Sequence, residues 1–205
     1  MNMVLNRIKD TKVVAILRNL SHDDNFFVMD HLLEAGITNF EVSLTTDNAV
    51  RIIGEAVKKY GAKAMVGAGT VLTEKQAREV IEVGAEFIFA PNFSEKIVTV
   101  AKNSDIFIAP GVFSPTEIYA AHEMGCSLVK LFPASTVGSS YIKQILSPLE
   151  GIEIIAVGGI DHTNMDEYLK AGACSVGVGS SMTPKKMIAE RDSEALIAHI
   201  KQYIR

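Results

Sequence analysis

Several features common in proteins are missing from this 205-residue sequence, and each absence excludes a class of protein. Only two cysteines occur, Cys126 and Cys174, and their small, apolar neighbours indicate buried reduced thiols. No stretch approaches the ~18 uninterrupted apolar residues of a membrane-spanning helix. The first ten residues carry charges where a secretory signal needs an apolar run. We therefore expect a soluble, cytoplasmic protein.

Basic clusters and well-known catalytic signatures are also lacking. The formal net charge is −4 and the lysines and arginines are scattered, so we expect no nucleic-acid partner and no membrane partner. The five histidines have no spacing that suits a metal ion. Neither the G-x-S-x-G of serine hydrolases nor a Walker phosphate loop occurs. The sequence therefore predicts chemistry without a metal, on a small molecule.

What the sequence does contain is one repeated unit, a short β-branched run followed by a segment of helical periodicity. Eight such runs occur, at residues 13–17, 39–44, 64–67, 87–90, 106–109, 127–132, 152–157 and 175–179. Strands that alternate with helices indicate parallel βαβ units. An open doubly wound sheet would need fewer strands or an N-terminal G-x-G-x-x-G. Since no linker divides the chain, the sequence predicts one α/β domain over residues 1–205, a single (β/α)8 TIM barrel.

The helix boundaries are marked in the sequence. Ser114 is followed by Pro115 and Glu117, which predicts an N-cap with a proline in the first turn and a capping box. Residues 1–9 predict a short helix that covers the bottom of the barrel. Residues 191–204 predict the closing helix.

A lysine interrupts the apolar sixth run. Leu128, Lys130 and Phe132 share one side of that strand, and Glu41 and Ser43 share one side of the second strand. The outer side of each strand must face apolar helices, so these polar residues are predicted to point inward. Strand ends of a barrel share one face, where the chemistry lies. We therefore expect the lysine and the glutamate near the same mouth.

Two interpretations of Lys130 and Glu41 follow from this placement. One is a structural ion pair that fills the barrel. The other is a nucleophilic amine that forms a Schiff base with a ketone, beside an acid/base partner. Desolvation favours the neutral amine, whereas a nearby carboxylate favours the ammonium. Glu41 acting through a water molecule would leave the amine partly neutral, and the sequence alone does not decide between these effects.

The loops after the last two strands carry glycines. They contain Gly158 and Gly159, and then Gly179 and Ser180. Such loops often hold a phosphate in barrels, because bare backbone N–H groups approach the anion closely. The alternative is that these glycines only turn tight corners. The GAGT stretch that ends at Thr70 is a weaker signal of the same kind.

Six short motifs follow one another at the strand ends: EVSL (41–44), GAGTV (67–71), APN (90–92), APG (109–111), KLFPA (130–134) and GGI (158–160). Together they resemble the 2-keto-3-deoxy-6-phosphogluconate aldolase family, from about residue 10 to about residue 185. That family also includes 4-hydroxy-2-oxoglutarate and 2-keto-3-deoxy-6-phosphogalactonate aldolases. The resemblance implies a class I aldolase of carbohydrate metabolism, such as the Entner–Doudoroff pathway, usually a homotrimer and without a metal or other cofactor. Its substrate would be a 2-keto-3-deoxy sugar acid, with a phosphate at C6, cleaved to pyruvate and an aldehyde such as glyceraldehyde 3-phosphate.

The resemblance also implies roles for individual residues. Lys130 matches the imine-forming lysine, and Glu41 matches the general acid/base. Thr70 matches a residue that binds the substrate carboxylate. The other positions implied to bind substrate line the pocket or its phosphate end: Pro91, Phe132, Gly158, Gly159, Gly179 and Ser180.

Two positions depart from the family pattern. Thr45 stands where many members have an arginine that holds the substrate carboxylate, and Arg18 at the end of the neighbouring first strand is the expected substitute. Val157 stands where many members have threonine before the glycine pair, which leaves the preferred substrate open.

Rival interpretations are a sugar-phosphate isomerase or epimerase, a metal-dependent pyruvate aldolase, and a non-catalytic barrel that senses a keto acid or sugar phosphate.

Overall fold

A parallel β-barrel forms the centre of the molecule, whose residues 3–205 are described by a computed structural model. Its strands are β1 Val13–Leu17, β2 Asn39–Ser43, β3 Met65–Gly69, β4 Phe87–Phe89, β5 Phe107–Ala109, β6 Gly111–Val112, β7 Leu128–Leu131, β8 Glu153–Val157 and β9 Ser175–Val178. They are hydrogen-bonded in the order β5-β4-β3-β2-β1-β9-β8-β7-β6, and every pairing is parallel. The eight predicted runs therefore form the strands of a (β/α)8 barrel, as expected.

The fifth strand differs from expectation, because a second short piece, β6, follows the predicted run 106–109. Pro110 separates β5 from β6, and β5 pairs with β4 whereas β6 pairs with β7. A proline has no N–H to contribute to a ladder, but its carbonyl remains an acceptor. The Pro110 carbonyl accepts the Lys130 N–H at 2.9 Å. The barrel therefore closes across this proline, next to the lysine.

Helices alternate with the strands along the chain. They are α1 Met3–Thr11, α2 His22–Ala35, α3 Ala49–Tyr60, α4 Glu74–Glu82, α5 Glu95–Asn103, α6 Pro115–Glu123, α7 Ala134–Val137, α8 Ser139–Leu146, α9 Met165–Lys170, α10 Lys185–Ala189 and α11 Ser193–Ile200. Short 3-10 helices follow at Gly61–Lys63 and Lys201–Tyr203. The predicted capping box of α6 is confirmed, since Ser114 and Glu117 satisfy each other's backbone N–H groups. Among the described residues, no helix combines the length and the apolar character that a membrane crossing requires.

The bottom of the barrel is closed by α1. Residues 1 and 2 of the predicted helix lie outside the described part of the chain, and α1 runs from Met3 to Thr11. Leu5 and Ile8 pack into the interior cluster, as predicted for a helix that covers the barrel. Several members of that cluster pack the lower half of the interior: Val14, Met65, Phe87, Phe107, Leu128 and Ile155. Others, such as Phe89 and Phe132, reach the level of Lys130. Two uncharged polar residues, Asn39 and Ser175, are also buried at the lower ends of β2 and β9. The buried charged pair Lys130 and Glu41 lies above them, in the upper half.

Candidate active site

Lys130 and Glu41 meet inside the upper half of the barrel. The two side chains, on β7 and β2, are only 4% and 0% exposed, and Lys130 Nζ lies 3.5 Å from Glu41 Oε1. The rings of Phe89 and Phe132 flank the amine, with their centroids 5.7 Å and 5.8 Å from Nζ. The inward orientation follows from strand alternation, which places Leu128 and Lys130 on one side of β7. The amine thus lies in aromatic surroundings beside a single carboxylate.

The Glu41 carboxylate has an unusual environment. Neither of its oxygens has a hydrogen-bond partner among the described residues, although both are buried. Gly69 on β3 makes room for it, since a Cβ at that position would lie 1.8 Å from Oε1. Charge-assisted hydrogen bonds between nitrogen and oxygen are usually about 2.7–2.9 Å long, so the 3.5 Å contact with Lys130 is a loose one. A buried acceptor left without a donor calls for a ligand or a proton that uses it.

Three hydroxyl groups form a polar cluster beside the glutamate. Ser43 Oγ lies 2.9 Å from Thr45 Oγ1 and 2.9 Å from Thr70 Oγ1. Thr70 has a φ of 59°, in the left-handed region that a β-branched residue rarely adopts. Backbone strain of this kind concentrates at functional sites. The hydroxyl cluster was not assigned from the sequence, although alternation with Glu41 had placed Ser43 on the inner side.

Arg18 supplies positive charge at the mouth. Arg18 directly follows β1, and Thr45 lies just after β2. Because β1 and β2 are paired, the two residues lie at neighbouring strand ends, as expected. The Arg18 side chain is exposed and has no ion-pair partner within residues 3–205. Pro91 follows β4, two residues beyond the Phe89 ring that contacts the amine. Both residues therefore lie at the same end of the barrel as Lys130.

A cavity of about 470 Å³ opens at this mouth. Its walls include the predicted residues Arg18, Phe132, Gly158, Gly159, Gly179 and Ser180. Lys130, Glu41, Thr70 and Pro91 are not among its lining residues. Phe132 connects the two regions, since its ring lines the cavity and lies against the amine. Thr183 and Lys185 also line the cavity, and nothing in the sequence pattern had marked them.

The cavity glycines differ in what they require. Gly158 and Gly159 have φ values of 100° and 72°, which favour glycine. The turn that they form is therefore sufficient to explain why both positions are glycine. Gly179 has no such requirement, and the nearest atom to a Cβ built on it would be the Ile16 carbonyl oxygen at 3.9 Å. Neither a tight turn nor packing explains that glycine. A backbone without a side chain lets an anion approach its N–H groups closely.

Other titratable groups near the cavity are engaged with their own loops. The Asp161 carboxylate accepts hydrogen bonds from the Thr163 hydroxyl at 2.6 Å and the Thr163 N–H at 2.8 Å, which lower the pKa of Asp161. Asp161 thus orders a turn ahead of α9, whose N-cap is Asn164. His199 Nε2 lies 2.7 Å from the Ser181 carbonyl oxygen.

Residues 3–205 hold no group of three or more histidine, cysteine, aspartate or glutamate side chains placed to bind a metal.

Comparison with known proteins identifies the family of this chain. The family described as KDPG and KHG aldolase matches residues 4–199. A probable 2-dehydro-3-deoxy-6-phosphogalactonate aldolase of Rhizobium meliloti (strain 1021) is 38% identical over 192 residues, covering 93% of this chain and 91% of the relative. A 2-dehydro-3-deoxy-phosphogluconate aldolase of Treponema pallidum (strain Nichols) is 34% identical over 172 residues, covering 83% and 81%. A solved structure of the Legionella pneumophila KDPG aldolase, with pyruvate captured as a covalent carbinolamine, superposes with a TM-score of 0.92 at 25% identity, covering 100% and 99% of the chains.

Proposed function

Because this chain belongs to the KDPG and KHG aldolase family, and is therefore a carbon–carbon lyase, we propose that it works as a class I aldolase through an imine on Lys130. The substrate is a 2-keto-3-deoxy sugar acid with a phosphate at C6, and the products are pyruvate and an aldehyde such as glyceraldehyde 3-phosphate. One observation carries the proposal, the buried amine beside a carboxylate that has no other partner among the described residues. The family, the fold and the relatives named above are consistent with it.

The reaction begins with addition of the neutral Lys130 amine to the C2 ketone, which gives a carbinolamine. Glu41 protonates the departing hydroxyl, so water leaves and an iminium forms. The Legionella pneumophila aldolase has been captured with pyruvate as a covalent carbinolamine, an intermediate of this kind. The 3.5 Å contact between Lys130 Nζ and Glu41 Oε1 places the carboxylate close enough to exchange protons with the amine and the bound substrate.

In the cleavage step Glu41 acts as a base, whereas in imine formation it acts as an acid. Glu41 accepts the proton of the C4 hydroxyl, the C3–C4 bond breaks, and its electron pair enters the iminium to give an enamine. The aldehyde leaves, C3 is reprotonated, and water hydrolyses the imine to release pyruvate and the free amine. One carboxylate serves each proton transfer because the steps follow one another. Its free oxygens are suited to that sequence.

The remaining site residues hold the two ends of the substrate. We assign the carboxylate end to Thr70 and Arg18, with Ser43 fixing the Thr70 hydroxyl. The phosphate end falls to the loops that contain Gly158, Gly159, Gly179 and Ser180, and a glycine at position 179 that neither a positive φ nor a steric clash requires supports this assignment. Pro91 and Phe132 form the walls beside the reacting carbons. Holding both ends aligns the ketone with the amine.

The two C4 epimers of the phosphorylated acid are the natural candidates for the substrate. We propose that the galactonate epimer is preferred, since the relative at 38% identity is named for it and the one at 34% for the gluconate. Val157 lines the cavity and offers no hydroxyl for hydrogen bonding. A comparison of kcat/KM for the two epimers tests this preference. Equal values, or a preference for the gluconate, would contradict it.

Borohydride trapping with pyruvate tests the mechanism directly. Reduction should fix a pyruvyl adduct on the peptide that contains Lys130, detected by mass mapping. Lys130→Ala should give no adduct and no turnover, and Lys130→Arg should behave in the same way because a guanidinium stays protonated. Pyruvate binding without an adduct would favour a non-catalytic sensor or an isomerase. Turnover that EDTA abolishes would favour a metal-dependent aldolase.

We also propose that the enzyme is a cytoplasmic homotrimer that acts in sugar-acid degradation of the Entner–Doudoroff type. Exposed apolar side chains, Leu72 and Phe113, stand on loops at the mouth end and are suited to contact with another copy. Light scattering coupled to gel filtration should give three times the 22.2 kDa chain mass. A monomeric mass would contradict the trimer while leaving the imine chemistry standing.

A further inference from the structure

The carbonyl of Ser181 accepts two side-chain hydrogen bonds from the end of the chain. His199 Nε2 lies 2.7 Å from the carbonyl oxygen, and the Tyr203 hydroxyl lies 2.9 Å from it. A carbonyl can only accept, so the Nε2 of His199 carries the proton. The two donors come from α11 and from the 3-10 helix that follows it. Two side chains thus converge on the backbone immediately after Ser180, in a cavity loop.

Ser181 also joins the two cavity loops to each other. Its hydroxyl donates to the Ile160 carbonyl at 2.9 Å, and Ile160 directly follows Gly159. The Met182 N–H donates to the Gly179 carbonyl at 2.9 Å, which closes the turn between them. Ser181 is therefore held on one side by the loop after β8 and on the other side by the end of the chain.

The support behind Ser181 is itself firmly packed. Tyr203 is fully buried, as are Leu196 and Ile200 of α11. The Tyr203 ring lies edge-on to the ring of His162, with centroids 5.5 Å apart, and to that of His199, at 5.7 Å. His162 belongs to the loop that follows Gly159, so the aromatic contacts join the end of the chain to the loop after β8. The hydrogen bonds join it to the loop after β9. The end of the chain is well suited to fix their spacing.

We infer that His199 and Tyr203 are positioning residues for the phosphate end of the substrate. This inference rests on the proposed function, which places the phosphate between the two loops. Backbone N–H groups bind an anion only when they converge on it, so the spacing of the loops determines affinity for the phosphate. Neither side chain lines the cavity, and both act through the Ser181 carbonyl.

Matched variants separate this role from general stability. His199→Leu removes one donor, and Tyr203→Phe removes the other while keeping the ring. His199→Gln keeps an N–H donor at a similar distance. Gln202→Ala, an exposed position between the two, is the control. KM and kcat would be measured with the phosphorylated substrate and with its unphosphorylated counterpart, alongside the melting temperature of each variant.

His199→Leu and Tyr203→Phe should each raise KM for the phosphorylated substrate by about fivefold, the factor that corresponds to one typical hydrogen bond. KM for the unphosphorylated substrate, kcat and pyruvate trapping should stay near the values of the unchanged protein. His199→Gln should recover most of the lost affinity, and Gln202→Ala should have no effect.

Equal changes for both substrates, or an unchanged KM in Tyr203→Phe, would overturn the inference. So would a His199→Gln variant that behaves like His199→Leu at an unchanged melting temperature. Failure of the proposed function looks different, because the unchanged protein would then form no pyruvate adduct on Lys130. The two failures are therefore distinguishable in the same set of measurements.

Discussion

The lower and upper halves of the barrel interior come from the same strands but differ in charge. The lower half is packed mainly by apolar side chains, with the uncharged Asn39 and Ser175 also buried there, and is closed by Leu5 and Ile8 of α1. The upper half holds Lys130 and Glu41 in a loose contact. On β7 the change from Leu128 to Lys130 takes two residues, a rise of about 7 Å. A well-packed floor therefore lies directly under a polar site in which neither Glu41 oxygen has a hydrogen-bond partner among the described residues.

Two glycines of β3, Gly67 and Gly69, face different kinds of side chain in the two halves. A Cβ at Gly67 would lie 2.4 Å from the Phe87 ring, in the lower half. A Cβ at Gly69 would lie 1.8 Å from Glu41 Oε1, in the upper half. The first glycine makes room for packing and the second makes room for a carboxylate. The same residue type therefore serves stability at one level and, on our proposal, catalysis at the next.

The largest expected effect on turnover within this comparison comes from Glu41→Gln. The amide cannot relay protons, so kcat should fall by about 10²–10⁴-fold, the usual contribution of general acid–base catalysis. Some imine should still form, because the amine remains in place. Single-turnover kinetics and borohydride trapping would check the two results. Equal loss of trapping and turnover would instead show that Glu41 chiefly positions the lysine.

A pair of alanine substitutions on β3 should separate the two halves. Gly69→Ala displaces the Glu41 carboxylate, so we expect kcat to fall by about tenfold or more, as when a catalytic group is misplaced. Gly67→Ala crowds Phe87, so we expect the free energy of unfolding to fall by about 1–3 kcal/mol, as in other overpacked cores. Steady-state kinetics and urea unfolding of both variants check this. A larger loss of kcat in Gly67→Ala than in Gly69→Ala would contradict the division of the interior into a lower half that stabilises the fold and an upper half that carries the catalytic groups.

The smallest expected effect on turnover comes from the lower half itself. Phe107 is buried in the interior cluster, and Phe107→Ala should lower the free energy of unfolding by about 3–5 kcal/mol through the cavity it leaves. While the protein remains folded, kcat should be nearly unchanged, because the ring lies in the lower half of the interior, below the proposed site. Urea unfolding and kinetics at low temperature check both quantities. A drop in kcat comparable to that of Gly69→Ala would show that the floor shapes the site.

Local pattern was enough to predict much of this molecule. Runs of β-branched residues between helical segments predict the barrel, because the two periods, 2 and 3.6, appear directly in the residue order. The same alternation places Lys130 and Glu41 on inner faces near one mouth, where they lie 3.5 Å apart. The capping box at Ser114 is local in the same sense, since all its partners lie within three residues.

Only the tertiary structure decided the features that depend on distant partners. The sequence could not give the break of the fifth strand at Pro110, which depends on how its two halves pair with β4 and β7. It could not show that the Glu41 oxygens lack donors, because that depends on every strand around them. The bonds from His199 and Tyr203 to Ser181 join segments 18 and 22 residues apart. Periodicity determines which face a side chain occupies, whereas the partner it meets there is set by how the whole barrel closes.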